Sequence, residues 1–249
     1  MSSRTRRGAT IEDTVLDPGG DAVEAFVVAP AGAKARAGVV FLHWLGEHRS
    51  DRTQFVDEAV DLAAHGVRSV LPAGRLPWLV PPTDAASDVA SIETEVRRAA
   101  LALDALEAGL PAKAPIALVG HDFGAMSGSL LLARRPRISA GVLIAASPRW
   151  ADWFLPFWKI AGDPFDYARA LAPLDPIEAV AAIDRPLLFQ FSRRDYYIAP
   201  MSAVRFARAA KREAALEWYA ADHAMRSPKA RASRAAFLGR ELALGGART

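Results

Sequence analysis

Cysteine is absent from all 249 residues. That removes disulfides, a thiol nucleophile, iron–sulfur clusters and cysteine-bound zinc together, and it fits a reducing, cytoplasmic setting. No run approaches the roughly 18 consecutive apolar residues of a membrane span. The opening Ser-Ser-Arg-Thr-Arg-Arg-Gly has no apolar stretch behind it that would make a secretory signal. Internal repeats are missing, as is any phosphate-cradling or dinucleotide-binding glycine motif. His43 and His48 are five apart across a loop and read as structural, and no histidine–carboxylate cluster has metal-ligand spacing, so neither metal nor cofactor is expected.

Charge is the one feature that invites a macromolecular partner. The formal net charge is +3, with a pI near 9.4. Arg4, Arg6 and Arg7 supply that whole excess, and residues 1–9 read as a flexible basic tail. A second group (Arg226, Lys229, Arg231, Arg234, Arg240) has the spacing of a solvated helix face. Neither group interleaves aromatics with its cations, so a nucleic-acid partner is not expected. Hydrophobic residues make up 51% and charged residues 24%, an ordinary globular profile. The expected partner is a small-molecule substrate, and the sequence does not choose between monomer and dimer.

Short apolar runs alternate with longer helical patterns along the chain. Segments 10–16 and 22–29 read as a hairpin around Asp17-Pro-Gly-Gly-Asp21. Segments 38–43, 67–71, 116–119, 140–145, 187–191 and 216–219 are nearly continuous apolar runs, the pattern of parallel strands buried on both faces. Helical periodicity fills 52–65, 87–108, 125–133, 202–212 and 227–243. Together these predict an α/β fold. Residues 1–249 form a single domain, a mostly parallel doubly wound sheet with an N-terminal antiparallel hairpin. Segment 149–183 breaks the alternation. It holds Trp150, Trp153, Phe154, Phe157 and Trp158, and it reads as a small lid or a crossover insertion.

The most informative stretch is Ile116-Ala-Leu-Val-Gly-His-Asp-Phe-Gly-Ala125, where a buried strand runs through a tight turn into a helix. That context fits the Gly-x-Ser-x-Gly nucleophile elbow, with Asp122 in the serine's place. The flanking glycines suit a turn that leaves no room for a Cβ. On such a sheet an acid and a histidine follow the nucleophile in chain order, each after a later strand. Asp195 follows the run 187–191, and His223 follows the run 216–219. Phe41-Leu-His-Trp-Leu-Gly46, after the first parallel strand, is placed to supply one oxyanion-hole amide, and the residue after the nucleophile supplies another. The expected backbone donors are Trp44 and Phe123.

From about Gly38 to Leu242 the chain resembles the α/β-hydrolase superfamily. Its body is similar to dienelactone-hydrolase-type members, which lack a large inserted cap. Its elbow is similar to that of haloalkane dehalogenases, fluoroacetate dehalogenases and epoxide hydrolases, which also read Gly-His-Asp-x-Gly. The resemblance implies Asp122 as nucleophile, Asp195 as triad acid and His223 as base. It departs in two places. Haloalkane dehalogenases and epoxide hydrolases usually carry Trp where this chain has Phe123, and their caps are larger than 149–183.

An aspartate in that turn changes the feasible chemistry. Attack on an ester would give an anhydride, which is uphill. Attack on saturated carbon opens an epoxide or expels a halide and leaves an alkyl ester on Asp122. His223, oriented by Asp195, would then activate water against the Asp122 carbonyl. An epoxide oxygen needs an acidic O–H, for which Tyr167, Tyr196 and Tyr197 are candidates. A halide needs donors such as the indoles of Trp44, Trp150, Trp153 and Trp158. The expected substrate pocket comprises His43, Trp150, Trp153, Tyr196 and Tyr197. Two alternatives stay open: an ester or lactone hydrolase or lyase with Asp122 as base, and a catalytically silent binding protein. Retention of both Asp195 and His223 argues against silence.

Overall fold

A computed structural model describes residues 2–17, 20–45, 52–74, 84–158, 160–212 and 214–245. One nine-stranded sheet organises them. Its strands are β1 (Ser2–Arg6), β2 (Ala9–Leu16), β3 (Val23–Pro30), β4 (Ala37–Leu42), β5 (Val67–Pro72), β6 (Ile116–His121), β7 (Ala140–Ile144), β8 (Leu187–Ser192) and β9 (Ala215–Tyr219). The spatial order is β1-β2-β3-β5-β4-β6-β7-β8-β9. Strands β1, β2 and β3 pair antiparallel, β3 meets β5 antiparallel, and every pairing from β5 to β9 is parallel.

The central strands β4, β6, β7 and β8 are buried along their whole length. This matches their nearly continuous apolar sequence, because helices cover both faces. Helices α2 (Ala85–Ala108), α3 (Phe123–Arg134), α4 (Trp150–Phe157), α5 (Pro164–Leu171), α6 (Pro176–Ala182) and α7 (Pro200–Arg208) contribute to one core cluster. Helices α1 (Val56–Ala63) and α8 (Pro228–Glu241) close the other. No helix among the described residues is long and apolar enough to cross a membrane.

Three expectations need correction. Ser2–Arg6 is not a flexible tail. It is an edge strand in register with β2 (Arg4 opposite Ile11), and Arg6 and Arg7 pair with Asp57 and Asp61 on α1. Backbone pairing holds this strand, and its exposed polar side chains give no alternation to read. Strand β9 is not buried on both faces, because it closes the sheet as its other edge. Helix α1 begins at Val56 rather than Arg52, since Thr53 and Gln54 are drawn into a turn that turns Gln54 toward β6.

Candidate active site

Asp122 sits between the end of β6 and the first residue of α3, with φ 53° and ψ −119°. A non-glycine residue held there stores on the order of 1–3 kcal/mol of strain, which the surrounding packing must offset. The flanking glycines are obligatory. A Cβ on Gly120 would lie 2.5 Å from the Gly124 carbonyl oxygen, and one on Gly124 would lie 2.4 Å from that of Leu42. The turn is pinned by Asp122 N–H donating to Ile144 O at 2.8 Å. It aims the Asp122 side chain at the loops that follow β4, β8 and β9.

The β8 and β9 loops bring the other two expected residues to it. Asp195 Oδ1 accepts from the Tyr197 and Ile198 amides at 2.9 and 3.0 Å, and both Asp195 oxygens lie 3.0 Å from His223 Nδ1. A carboxylate at Nδ1 fixes the proton there and turns Nε2 outward. That Nε2 is buried without a hydrogen bond of its own, 3.5 Å from Asp122 Oδ1. The Ser192 hydroxyl donates to Ala221 O and ties the two loops together.

Asp122 is only 1% exposed. The Trp153 indole N–H donates to its Oδ1 at 2.8 Å, and the Leu45 amide donates to its Oδ2 at 3.3 Å. Burial opposes its ionisation, yet His223 and the Trp153 indole together hold its carboxyl below the usual range. Burial also lowers the basicity of His223. The nearby charge of Asp122 and the charge and hydrogen bonds of Asp195 outweigh it and push the imidazole up to about 10. The two carboxylates therefore both favour the protonated form of the imidazole.

The remaining expected residues divide. Trp153 lies over the carboxylate, and Tyr197 stacks on it at 4.7 Å while meeting His223 edge-on at 4.8 Å. Trp150 does not reach the site. It is fully buried, its indole donates to Leu174 O, and its ring packs on Phe123 and Phe154. His43 is likewise a brace, accepting at Nε2 from Gly74 N–H and donating from Nδ1 to Trp44 O. Tyr196 is 81% exposed, and Tyr167 is committed to buried Asp88 at 2.6 Å. His48 lies outside the described residues.

In the loop expected to supply an oxyanion-hole amide, the residue facing Asp122 is shifted by one from expectation. The Trp44 amide donates to Gln54 Oε1 at 2.9 Å, so Leu45, not Trp44, presents its N–H to Asp122. Phe123 heads α3, where its amide stands at the positive end of the helix. Gln54 was not foreseen, because a lone glutamine ahead of a helix carries no sequence signal; only the turn before α1, which packs on β3 and β5, brings it to His121.

Comparison with known proteins places this geometry in a wider setting. A family model described as "Alpha/beta hydrolase family" matches residues 16–245. No curated protein matches the chain. Among solved structures, a cold-adapted esterase from an Arctic intertidal metagenomic library superposes with a TM-score of 0.69 at 16% identity, over 97% of each chain. The esterase domain of a Rhodothermus marinus protein gives 0.67 at 18% identity, over 93% of this chain and 99% of that one. Pyrococcus horikoshii acylaminoacyl peptidase gives 0.68 at 15% identity, over 93% of this chain and 42% of that one. At such identities the structures share the fold. The family match covers nearly the whole sequence, and the chain belongs to the alpha/beta hydrolase family.

Proposed function

We propose that the chain is a hydrolase in which Asp122 attacks saturated carbon, opening an epoxide or displacing a halide. The resulting alkyl ester on Asp122 is hydrolysed by water that His223 activates. The observation that carries this reading is the placement of the Asp122 carboxylate. Its Oδ2 already occupies the position facing the Leu45 amide, and its Oδ1 faces His223 Nε2. A backbone N–H there is aimed at the oxyanion that forms when water adds to an ester of Asp122 itself. An external ester carbonyl would have to displace the carboxylate to reach the same donor.

Protons and electrons balance on this scheme. Asp122 Oδ1 forms a bond to carbon as the carbon–oxygen or carbon–halogen bond breaks. The His223 proton passes to the alkoxide, or to solvent when halide leaves. Alkylation removes the Asp122 charge that raised the imidazole's pKa, so neutral His223 becomes a competent base. It takes a proton from water as the oxygen adds to the Asp122 carbonyl. Collapse expels the alcohol and restores the carboxylate and the imidazolium. Trp153 is the proposed leaving-group donor. Carbon approaching Oδ1 displaces its indole N–H, which then faces the departing atom, and Phe123 supplies the second oxyanion amide. On this reading α4 is a short lid.

A second reading is favoured by the esterases among the structures sharing the fold: an ester or lactone hydrolase with Asp122 as base. A panel of styrene-type epoxides, haloalkanoates and p-nitrophenyl esters separates the two. The proposed route predicts that the His223→Gln enzyme gains the mass of the alkyl group from an epoxide or haloalkanoate and keeps it. Ester cleavage by the wild type, with no epoxide or halide turnover and no adduct, supports the second reading instead.

A further inference from the structure

A chain of three hydrogen bonds runs behind the site. Trp44 N–H donates to Gln54 Oε1 at 2.9 Å, Gln54 Nε2 meets His121 Nδ1 at 2.5 Å, and His121 Nε2 meets the His223 carbonyl at 2.9 Å. Its direction is fixed at one end, because a carbonyl only accepts. His121 must carry its proton on Nε2, so its Nδ1 accepts, so Gln54 donates with its amide nitrogen. The Gln54 oxygen is then left facing the Trp44 amide, the donor it needs. Every group in the chain is satisfied in one arrangement and in no other.

We propose that Gln54 and His121 are positioning residues that hold both arms of the site, the Leu45 amide and the His223 ring, against Asp122. The proposal rests on the reading of those groups as catalytic. His121 immediately precedes Asp122, so its bond ties the backbone of His223 to the strand that carries the carboxylate. The His223 loop needs such a tie, since it leaves the edge strand β9 and turns through Met225 at φ 51°. At the other end, Gln54 takes up the Trp44 amide and so leaves the next one, Leu45, to face Asp122 Oδ2.

His121 suits this role. It is 1% exposed and covered by the Trp44 indole, stacked at 5.4 Å and 8°. Burial foremost, and then the charge of His223, pushes its pKa down to about 3, so it stays neutral and keeps one tautomer. The charged groups that act on it are His223, Asp122 and Arg234, and Arg234 is itself paired with Glu58. A cavity of about 430 Å³ adjoins the chain, lined in part by Trp44, Gln54, His121, Met225, Arg226 and Arg231. Truncating Gln54 to alanine would enlarge that cavity and admit water as a substitute. Gln54→Leu fills the space without either polar group, and Gln54→Glu keeps the acceptor but removes the donor.

The test is nitrogen-15 histidine NMR of the full-length protein, with kinetics on whichever panel substrate the wild type turns over. In the wild type His121 should stay neutral with its proton on Nε2 from pH 5 to 9. In Gln54→Glu the carboxylate can satisfy His121 Nδ1 only if that nitrogen is protonated. The new imidazolium would lie with its ring centre 5.7 Å from that of His223. His121 is the nearer member of the new ion pair to His223, so, with the added carboxylate offsetting part of its charge, we expect the His223 pKa to fall by about half a unit to one unit and the pH profile of kcat to move with it. Gln54→Leu should lower kcat about 10- to 100-fold with KM within about twofold. A His121 that titrates in this range in the wild type overturns the proposal. So does a His223 titration unchanged in Gln54→Glu together with an unchanged kcat in Gln54→Leu, even if their melting temperatures fall, since packing alone would then explain the chain. The NMR arm needs no substrate, so an inactive wild type would count against the proposed reaction and leave the positioning claim to be decided separately.

Discussion

Two halves of the site are held by different means. Asp122, Asp195 and His223 follow the C-terminal ends of β6, β8 and β9, where parallel pairing fixes each strand against the next or through β7. Trp153 comes from α4, outside the sheet. Besides the Trp153 bond to Asp122, that helix is docked by Trp150 N–H to Asp175 Oδ1 at 3.0 Å, by the Trp150 indole to Leu174 O at 2.7 Å, and by aromatic rings packed around Phe123. On the proposed reading, the sheet half sets which groups can react. The helical half sets what can reach them, because Asp122 is buried beneath Trp153. Damage to the first half should therefore abolish chemistry, and damage to the second should alter rate, access and stability by smaller amounts.

The largest expected effect is in the sheet half. Asp122→Asn should lower turnover on the order of 10³-fold or more, measured as kcat on an accepted epoxide or haloalkanoate. It should also drop the His223 pKa, read by NMR, because one of the two carboxylates that raise it has lost its charge. An unchanged His223 titration would mean that Asp195 alone sets that pKa.

Trp153→Phe removes the indole donor from Asp122 Oδ1 while keeping an aromatic ring beside Tyr197. The expected loss in kcat is about tenfold, the value of one hydrogen bond to a charged group. The Asp122 pKa should rise toward the ordinary carboxylate range as that donor goes. Turnover equal to the wild type would remove Trp153 from the leaving-group role and leave it a covering residue.

The smallest effect is on stability, at Asp175. Burial foremost pushes its carboxyl up to about 7, so the fold favours the protonated form. An unfolded aspartate titrates near 3.9. The ionised group therefore costs increasing stability as pH climbs from about 4 to about 7, and its contribution is most favourable in acid. Asp175→Asn keeps an acceptor for the Trp150 amide without the charge. It should raise the thermal midpoint at pH 8 by the equivalent of about 1 kcal/mol and change it little at pH 4.5. A lower midpoint at pH 8 would show that the charge itself holds α4 in place.

The same division describes how much the sequence revealed. The parallel strands, the hairpin and the turn around Asp122 were legible because burial on both faces demands nearly continuous apolar runs and the turn demands Gly120 and Gly124. Asp195 and His223 were legible from chain order, since each follows a strand whose place in the sheet is set by pairing. The α4 contributions were only half legible. Trp150 and Trp153 both lie on its buried side, and nothing local distinguishes the indole that reaches Leu174 from the one that reaches Asp122. The donor shift from Trp44 to Leu45 was hidden for the same reason, because it depends on Gln54 capturing the Trp44 amide, and Gln54 is itself held by His121, 67 residues away in the chain. Strand β1 was illegible because exposed Ser, Arg and Thr side chains record nothing of the backbone bonds that hold them.

The central claim is that the carboxylate of Asp122 is itself alkylated and then hydrolysed. A single turnover in ¹⁸O-water, followed by mass spectrometry of the peptide bearing Asp122, tests it directly. The account predicts label in that carboxylate when substrate turns over and none without substrate. Sustained turnover with no label in Asp122 would contradict it.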